Sequence, residues 1–205
     1  MATANVLIVF YSRNGSTEKM AQAVAEGAKA AGAEVRLRRA RDIVSRDVMA
    51  KAPGWVEAAD RMDAEYPAPT SDDAEWADGI VFGTPTRFGN AAAELKAYID
   101  SLGGLWFQGK LNGKVGGAFT STGTPHGGNE STIISLYNPL AHLGFIIVPT
   151  GYLDPAVFKA GTPYGASHVA GQNASPPTED ELAVARFQGK RVTQVAAALK
   201  TNAGQ

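Results

Sequence analysis

The sequence predicts an α/β fold in which a doubly wound, five-stranded parallel sheet lies between two layers of helices, as a three-layer sandwich. Three observations support this prediction. Strand-like and helix-like segments alternate five times along the 205 residues. Most strand-like segments are apolar almost throughout, which is typical of parallel strands covered on both faces. Glycines and small polar residues follow three of the strands, where such folds place their ligands.

The elements of the first half follow from hydrophobic periodicity and stop signals. Residues 6–11 are predicted to form a central strand, and the helix after it ends at Gly32. Apolar and basic residues alternate over 35–38, which is typical of an exposed or edge strand. Residues 42–78 are rich in Ala, Pro and Asp and show helical periodicity only near their middle.

The second half continues the alternation of strands and helices. The predicted elements are a strand over 79–83, a helix capped by Asn90 and closed by Gly103 and Gly104, a strand over 115–120, a helix over 132–143, a strand over 145–148 and a last helix after a capping box of Thr178 and Glu181. Residues 151–176 hold many Gly, Pro, Ala and Ser and are predicted to be a long surface loop. Loops of this length are usually functional or mobile.

Composition narrows the class of protein. A net charge of −1 creates no positive electrostatic potential that would attract nucleic acid or acidic membranes. The chain has no cysteine, and its three histidines share no metal-ligand spacing, so we predict neither disulfides nor a metal site. The N-terminal apolar run is too short for a signal sequence or a membrane span. We therefore expect a single cytoplasmic domain over 1–205.

The loop over 12–17 has the composition of an anion-binding site. It places hydroxyl and amide side chains and backbone N–H groups at the positive end of a helix dipole. An ordinary helix cap uses the same residue types, so this loop alone only favours a phosphate. The Gly-x-Gly-x-x-Gly pattern of dinucleotide folds is missing, which disfavours NAD as the resident ligand.

Two further loops complete the predicted site. The loop over 84–90 contains Pro85, Arg87 and Phe88, which suit a flat aromatic ligand. The loop over 121–128 can turn backbone N–H groups toward one ligand edge and stabilise charge on a reduced ring. Each loop alone is equally consistent with a simple turn. Together, a phosphate site and two loops that grip a flat heterocycle indicate FMN, which would supply the redox chemistry.

Five segments of the sequence also resemble a known family. They are residues 11–12, 82–90, 103–106, 121–124 and 161–166. The chain is similar in them to the WrbA-type NAD(P)H:quinone oxidoreductases, which are flavodoxin-like FMN enzymes. The resemblance extends from about Asn5 to Leu199. The block over 83–90 is its most specific part, and the block over 161–166, which ordinary flavodoxins lack, comes next.

The resemblance implies a function and an assembly. The function is an FMN-dependent two-electron reduction of quinones to hydroquinones, with NADH or NADPH as co-substrate. Hydride would pass to the flavin and then to the quinone at one shared surface, which gives ping-pong kinetics. The family is usually a homotetramer in which subunit contacts shape the active sites. No nucleic acid and no membrane insertion are expected.

The resemblance also implies residue roles. His142 would lie beside the flavin as a catalytic and cofactor-binding residue, and Trp106 and Asn14 would line the substrate and nucleotide pocket. The other cofactor-binding residues would be Ser12, Arg13, Asn14, Gly15, Ser16, Thr17, Pro85, Thr86, Arg87, Phe88, Gly89, Asn90, Ser121, Thr122, Gly123 and Thr124. From its helical position alone, His142 is interpreted as a structural residue. It lies in the last turn of a helix, where a histidine interacts favourably with the helix dipole and the free carbonyls.

Two departures and two alternatives accompany this hypothesis. Family members often have an aromatic residue at the position of Asn14 and a histidine at that of Ser16. These two differences bear on the affinity for the nicotinamide nucleotide. The loop near Pro125 is one residue longer than in the family.

A flavodoxin-like electron carrier and an FMN-binding regulatory protein stay open as alternative functions. A carrier needs a charged docking face, which this near-neutral chain does not indicate. The sequence does not choose between quinones or between NADH and NADPH.

Overall fold

The computed structural model describes residues 3–171 and 173–203. The strands are β1 (Asn5–Phe10), β2 (Glu34–Arg39), β3 (Gly79–Pro85), β4 (Val115–Thr122), β5 (Ile146–Ile147) and β6 (Ser167–Val169). The helices are α1 (Ser16–Ala30), α2 (Arg46–Met49), α3 (Trp55–Glu65), α4 (Ser71–Trp76), α5 (Ala93–Ser101), α6 (Gly103–Phe107), α7 (Asn129–His142) and α8 (Glu179–Ala203). None of the described helices combines the length and apolarity needed to cross a bilayer.

The sheet is parallel, with the strand order β2-β1-β3-β4-β5. The predicted edge strand, β2, lies at an edge of the sheet. The chain moves from β1 to β2 on one side and then to β3 on the other, so the strand order reverses around β1. In open α/β sheets the ligand crevice lies at such a reversal, outside the carboxyl ends of the strands.

Helices cover both faces of the sheet and form two apolar cores. In β1, Val6 and Ile8 pack in one core with residues of α1 and α8, while Leu7 and Val9 pack in the other with residues of α5 and α7. All four side chains are completely buried. This burial on both faces explains the almost continuous apolar character of β1 and confirms the predicted three-layer arrangement.

The prediction of a surface loop over 151–176 is wrong for part of this segment. β6 pairs in parallel with the carboxyl half of β4, whereas β5 pairs with its amino half. The fifth position of the sheet is therefore occupied by two short strands with an insertion between them. Ala166 and His168 are almost completely buried. A three-residue strand between turns is too short to show a period in the sequence, so its pairing was not predicted.

Two helix boundaries also differ from the prediction. Asn90 does not cap α5, because its backbone pairs with Arg87 in a tight turn. The helix begins at Ala93, and the N–H group of Ala92 donates to Thr84 Oγ1 at 2.9 Å. Gly103 and Gly104 do not only follow α5; they form the first turn of α6.

Candidate functional site

The three predicted loops meet at the carboxyl edge of the sheet and enclose a cleft of about 340 Å³. The predicted residues that line it are Ser12, Arg13, Asn14, Ser16, Thr17, Pro85, Thr86, Arg87, Ser121, Thr122 and Gly123. Three further lining residues, Ala170, Gly171 and Ala174, were not predicted. The cleft lies beside the point where the strand order reverses, as expected for a doubly wound sheet.

The loop over 12–17 and the first turn of α1 present several free backbone donors. Gly15 has a φ of 95°, and its N–H group donates to Ser12 Oγ at 3.0 Å. Six other backbone N–H groups here donate to no group among the described residues; they belong to Ser12, Arg13, Asn14, Ser16, Thr17 and Glu18. They surround the positive end of α1. Free N–H groups at a helix N-terminus form a common anion-binding site, so these groups fit a bound phosphate.

Two arginines contribute positive charge to the cleft. Arg13 and Arg87 both line it. Neither forms an ion pair with a carboxylate of the part of the chain that the structure describes. Their charges are therefore available to an anionic ligand.

The loop over 84–90 is built around a tight turn. The backbones of Arg87 and Asn90 exchange two hydrogen bonds, at 2.8 and 3.1 Å. Phe88 and Gly89 between them have φ values of 55° and 77°. A positive φ is unusual for a bulky residue and is typical of functional sites. The turn holds the Phe88 ring fully in solvent, outside the cleft of its own chain.

The loop that follows β4 is joined to the other two loops. Ser121 Oγ and Thr17 Oγ1 are 2.8 Å apart, which connects it to the start of α1. The N–H group of Thr86 donates to the carbonyl of Ser121 at 2.8 Å. Gly123 lines the cleft, whereas Thr124 does not. These contacts fix the three loops relative to one another, as a binding site requires.

His142 and Trp106 lie together but away from this cleft. They line a second cavity of about 230 Å³, with Asp100 and Pro139. α7 begins near the cleft, since a Cβ at Gly128 would lie 3.0 Å from Gly89 Cα. The helix has 14 residues, so its other end is about 20 Å from its start. One chain therefore does not bring His142 or Trp106 to its own cleft.

The segment that sequence reasoning missed is fastened by a buried histidine. His168 Nδ1 is 2.9 Å from Glu181 Oε2, and His168 Nε2 is 3.0 Å from the carbonyl oxygen of Ser175. These contacts hold the chain after β6, where Ala170 and Ala174 reach the cleft. Only position along the chain could have indicated these residues. A segment that follows a fifth parallel strand starts at the same edge of the sheet as the three loops.

This fastening predicts a pH dependence of stability. Burial alone would raise the pKa of Glu181, but hydrogen bonds from His168, Thr178 and Val169 lower that pKa to about 2. A folded-state pKa below the unfolded value of 4.5 stabilises the protein above that value, and the stabilisation is lost as the pH falls toward 2. We expect Glu181→Gln to remove about 3 kcal/mol of this dependence.

The measurement is urea unfolding as a function of pH. The free energy of unfolding of Glu181→Gln should fall less steeply below about pH 5 than that of the wild type. Glu179→Gln is the control, because Glu179 is an exposed carboxylate of the same helical turn and should follow the wild-type curve. Parallel curves for the wild type and Glu181→Gln would contradict the prediction.

The strand order and the loop of free N–H donors after β1 define a flavodoxin-like α/β protein. Residues 5–156 match the NADPH-dependent FMN reductase family. The chain therefore belongs to this family.

Comparisons with individual proteins agree with this family and with the flavodoxin-like fold. A protein of Geotalea daltonii named NAD(P)H dehydrogenase (quinone) is 47% identical over 93% of this chain and 96% of its own length. A protein of Methylocella silvestris with the same name is 44% identical over 96% of this chain and 99% of its own. The solved structure of a flavodoxin, WrbA-like protein from Agrobacterium tumefaciens has 28% identity and a TM-score of 0.64, covering 95% of this chain and 98% of that one. Megasphaera elsdenii flavodoxin, at 19% identity and a TM-score of 0.56 over 92% and 98%, shares the fold.

Proposed function

We propose that the protein is an FMN-dependent NAD(P)H:quinone oxidoreductase that reduces quinones to hydroquinones in two half-reactions at one site. The observation that carries this proposal is the set of free N–H groups at the start of α1, most of which belong to residues that line the cleft. Membership of an FMN reductase family, and relatives named NAD(P)H dehydrogenase (quinone), support an enzyme that uses FMN and NAD(P)H. When bound, FMN supplies the hydride and electron chemistry.

The residues of this chain bind and orient the ligands. The N–H groups of 13, 14 and 16–18 hold the phosphate at the start of α1. Segments 85–87 and 121–123, which lie side by side at the ends of β3 and β4 and both line the cleft, orient the flat ring. The N–H group of Gly123, which lines the cleft, donates to no described group, so it is available to stabilise negative charge at the ring edge. Asn14, which is exposed, stays a candidate contact for the nicotinamide nucleotide.

The quinone pocket, in this proposal, is completed by a neighbouring subunit of a homotetramer. Trp106 is 54% exposed, and it lies beside His142 at the opposite end of α7 from the cleft. Tyr152, Leu153 and Phe158 are also exposed apolar side chains, of the kind that assembly covers. In this arrangement, Trp106 and His142 of one subunit lie beside the flavin in the cleft of a neighbouring subunit. The resemblance to tetrameric enzymes supports the same arrangement.

Mixed oligomers test this arrangement. We expect Trp106→Ala chains to bind FMN but reduce quinone poorly, and Ser16→Glu chains to lack FMN but keep Trp106. When the two chains are refolded together, about a quarter of the sites should combine a sound loop with a sound Trp106 from its neighbour. Quinone reductase activity should therefore exceed that of both separate variants. Activity equal to the average of the two would contradict sites shared between subunits.

The reaction is tested by two anaerobic half-reactions. NADPH should bleach the flavin absorbance of the purified protein, and benzoquinone should restore it without nucleotide present. Steady-state rates with both substrates varied should give parallel double-reciprocal lines, as ping-pong kinetics require. A flavin that is not reduced by NADH or NADPH, or that does not react with quinone, would favour the electron carrier or the regulatory protein.

A further inference from the structure

A buried carboxylate, Asp42, accepts hydrogen bonds from three side chains that adjoin or contact the loop over 12–17. Its Oδ1 accepts hydrogen bonds from the Tyr11 hydroxyl at 2.7 Å and from Trp55 Nε1 at 2.8 Å. Its Oδ2 accepts from Arg39 Nη2 at 2.6 Å. We call these four residues the Asp42 cluster. None of them lines the cleft.

The cluster is held in a single protonation state. Burial alone would raise the pKa of Asp42, but the hydrogen bonds from Arg39, Tyr11 and Trp55 lower it below its usual value. Burial and the nearby carboxylate of Asp42 raise the pKa of Tyr11. Asp42 is therefore ionised and Tyr11 is a hydrogen-bond donor throughout the neutral range.

Each donor of the cluster reaches the loop at a different point. Tyr11 directly precedes Ser12. Arg39, whose side chain is fully buried, also donates from Nη2 to the carbonyl oxygen of Ser12 at 3.2 Å. The ring of Trp55 lies against the Arg13 guanidinium, with Arg13 Cζ 3.9 Å from the ring centroid. The cluster therefore fixes both the backbone at the start of the loop and the side chain of Arg13.

An aromatic partner keeps the charge of Arg13 available. An ion pair would neutralise a guanidinium, whereas a ring face orients it and leaves its charge in place. The chain contains an instructive second pair. Arg36 lies over Trp76, with Cζ 4.0 Å from the ring centroid, but Arg36 also pairs with Asp73 at 3.1 Å. Of these two stacked arginines, only Arg13 lines the cleft.

We propose that Asp42 and Trp55 are positioning residues that hold Arg13 at the edge of the cleft, where its charge attracts the phosphate of FMN. This inference rests on the proposed function. It adds a residue of α3, far from the loop in the sequence, to the determinants of cofactor selection.

The test compares FMN with riboflavin, which differs only in lacking the phosphate. Both affinities are measured on the flavin-free full chain by fluorescence titration at low and high salt. For Trp55→Leu we expect FMN affinity to fall about tenfold at low salt, with riboflavin affinity unchanged. The loss should shrink at high salt, because screening already weakens the contribution of Arg13. Trp76→Leu is the matched control and should change neither affinity.

A double-mutant cycle shows whether Trp55 acts through Arg13. Arg13→Ala should lower FMN affinity by a similar factor, and Trp55→Leu added to it should cause little further loss. Additive losses would contradict the proposal, as would equal losses for FMN and riboflavin or no loss at all.

A conservative variant covers the case in which Trp55→Leu does not fold. Trp55 packs with Met49 and Ala59 in a small cluster separate from the two main cores. Trp55→Phe keeps an apolar ring there and removes the Nε1 donor to Asp42. We expect it to lower FMN affinity less than Trp55→Leu does and to leave riboflavin affinity unchanged. An unchanged FMN affinity would overturn the role of Asp42. A wild-type protein that binds neither flavin would instead refute the proposed function itself.

Discussion

Ser16→Glu is expected to abolish FMN binding and leave the protein folded. Ser16 is the first residue of α1, lines the cleft and has a free N–H group. A carboxylate at this position would accept hydrogen bonds from the donors that the phosphate needs and would repel the dianion. The same charge at a helix N-terminus stabilises the helix by about 0.5 kcal/mol. Loss of binding would therefore not result from unfolding.

Flavin titration of the apoprotein measures this effect. The FMN affinity of Ser16→Glu should fall by more than about 100-fold, since a bound dianion would meet a fixed negative charge a few ångströms away. Ser16→Gln is the matched control, with the same size and no charge, and should lose about tenfold or less. A Ser16→Glu protein that binds FMN like the wild type would mean that the phosphate binds elsewhere.

Gly189→Ala should be among the most destabilising single-methyl substitutions in this chain. α1 and α8 approach so closely that a Cβ at Gly189 would lie 1.9 Å from the carbonyl oxygen of Val24. A Cβ at Gly27 would lie 1.8 Å from the carbonyl oxygen of Arg186. These clashes are with backbone, so the two helices would have to separate. We expect a loss of about 3 kcal/mol, although alanine favours a helix by about 1 kcal/mol.

Urea unfolding measures this loss, with Gly104→Ala as the control. A Cβ at Gly104 would have no neighbour within 4 Å, and this residue also lies in a helix. Gly104→Ala should therefore keep or raise the free energy of unfolding. Because α1 carries the anion-binding loop at its start, Gly189→Ala should also weaken FMN binding. Equal stability of the two variants would mean that the α1–α8 contact adapts without cost.

Sequence reasoning predicted the parts of the fold that have a strong local signal. β1, β3 and β4 are buried on both faces, so their apolar runs are visible without any tertiary information. The capping box of Thr178 and Glu181 is present as predicted, with Glu181 accepting from the Thr178 N–H group at 2.7 Å. β6 could not be predicted, because its pairing with β4 is a tertiary contact and a three-residue strand has no period.

The site was predictable to the extent that strand ends determine it. The loops at 12–17, 84–90 and 121–128 each follow a buried strand, and parallel strands bring such loops to one edge. The direction of Phe88 was not predictable, because it depends on a left-handed backbone at a residue that rarely adopts one. The position of His142 in the last turn of a helix was predicted from the sequence, and the structure places it there, at the end of α7 away from the cleft. Its role beside a flavin stays a prediction.

The most direct test of the central claim is a crystal structure of the protein with FMN. We predict phosphate oxygens within about 3.2 Å of the backbone nitrogens of residues 13, 14 and 16–18. The ring should lie against segments 85–87 and 121–123, at the neighbouring ends of β3 and β4. Flavin density at any other place, or a phosphate that makes no contact with the start of α1, would contradict the account.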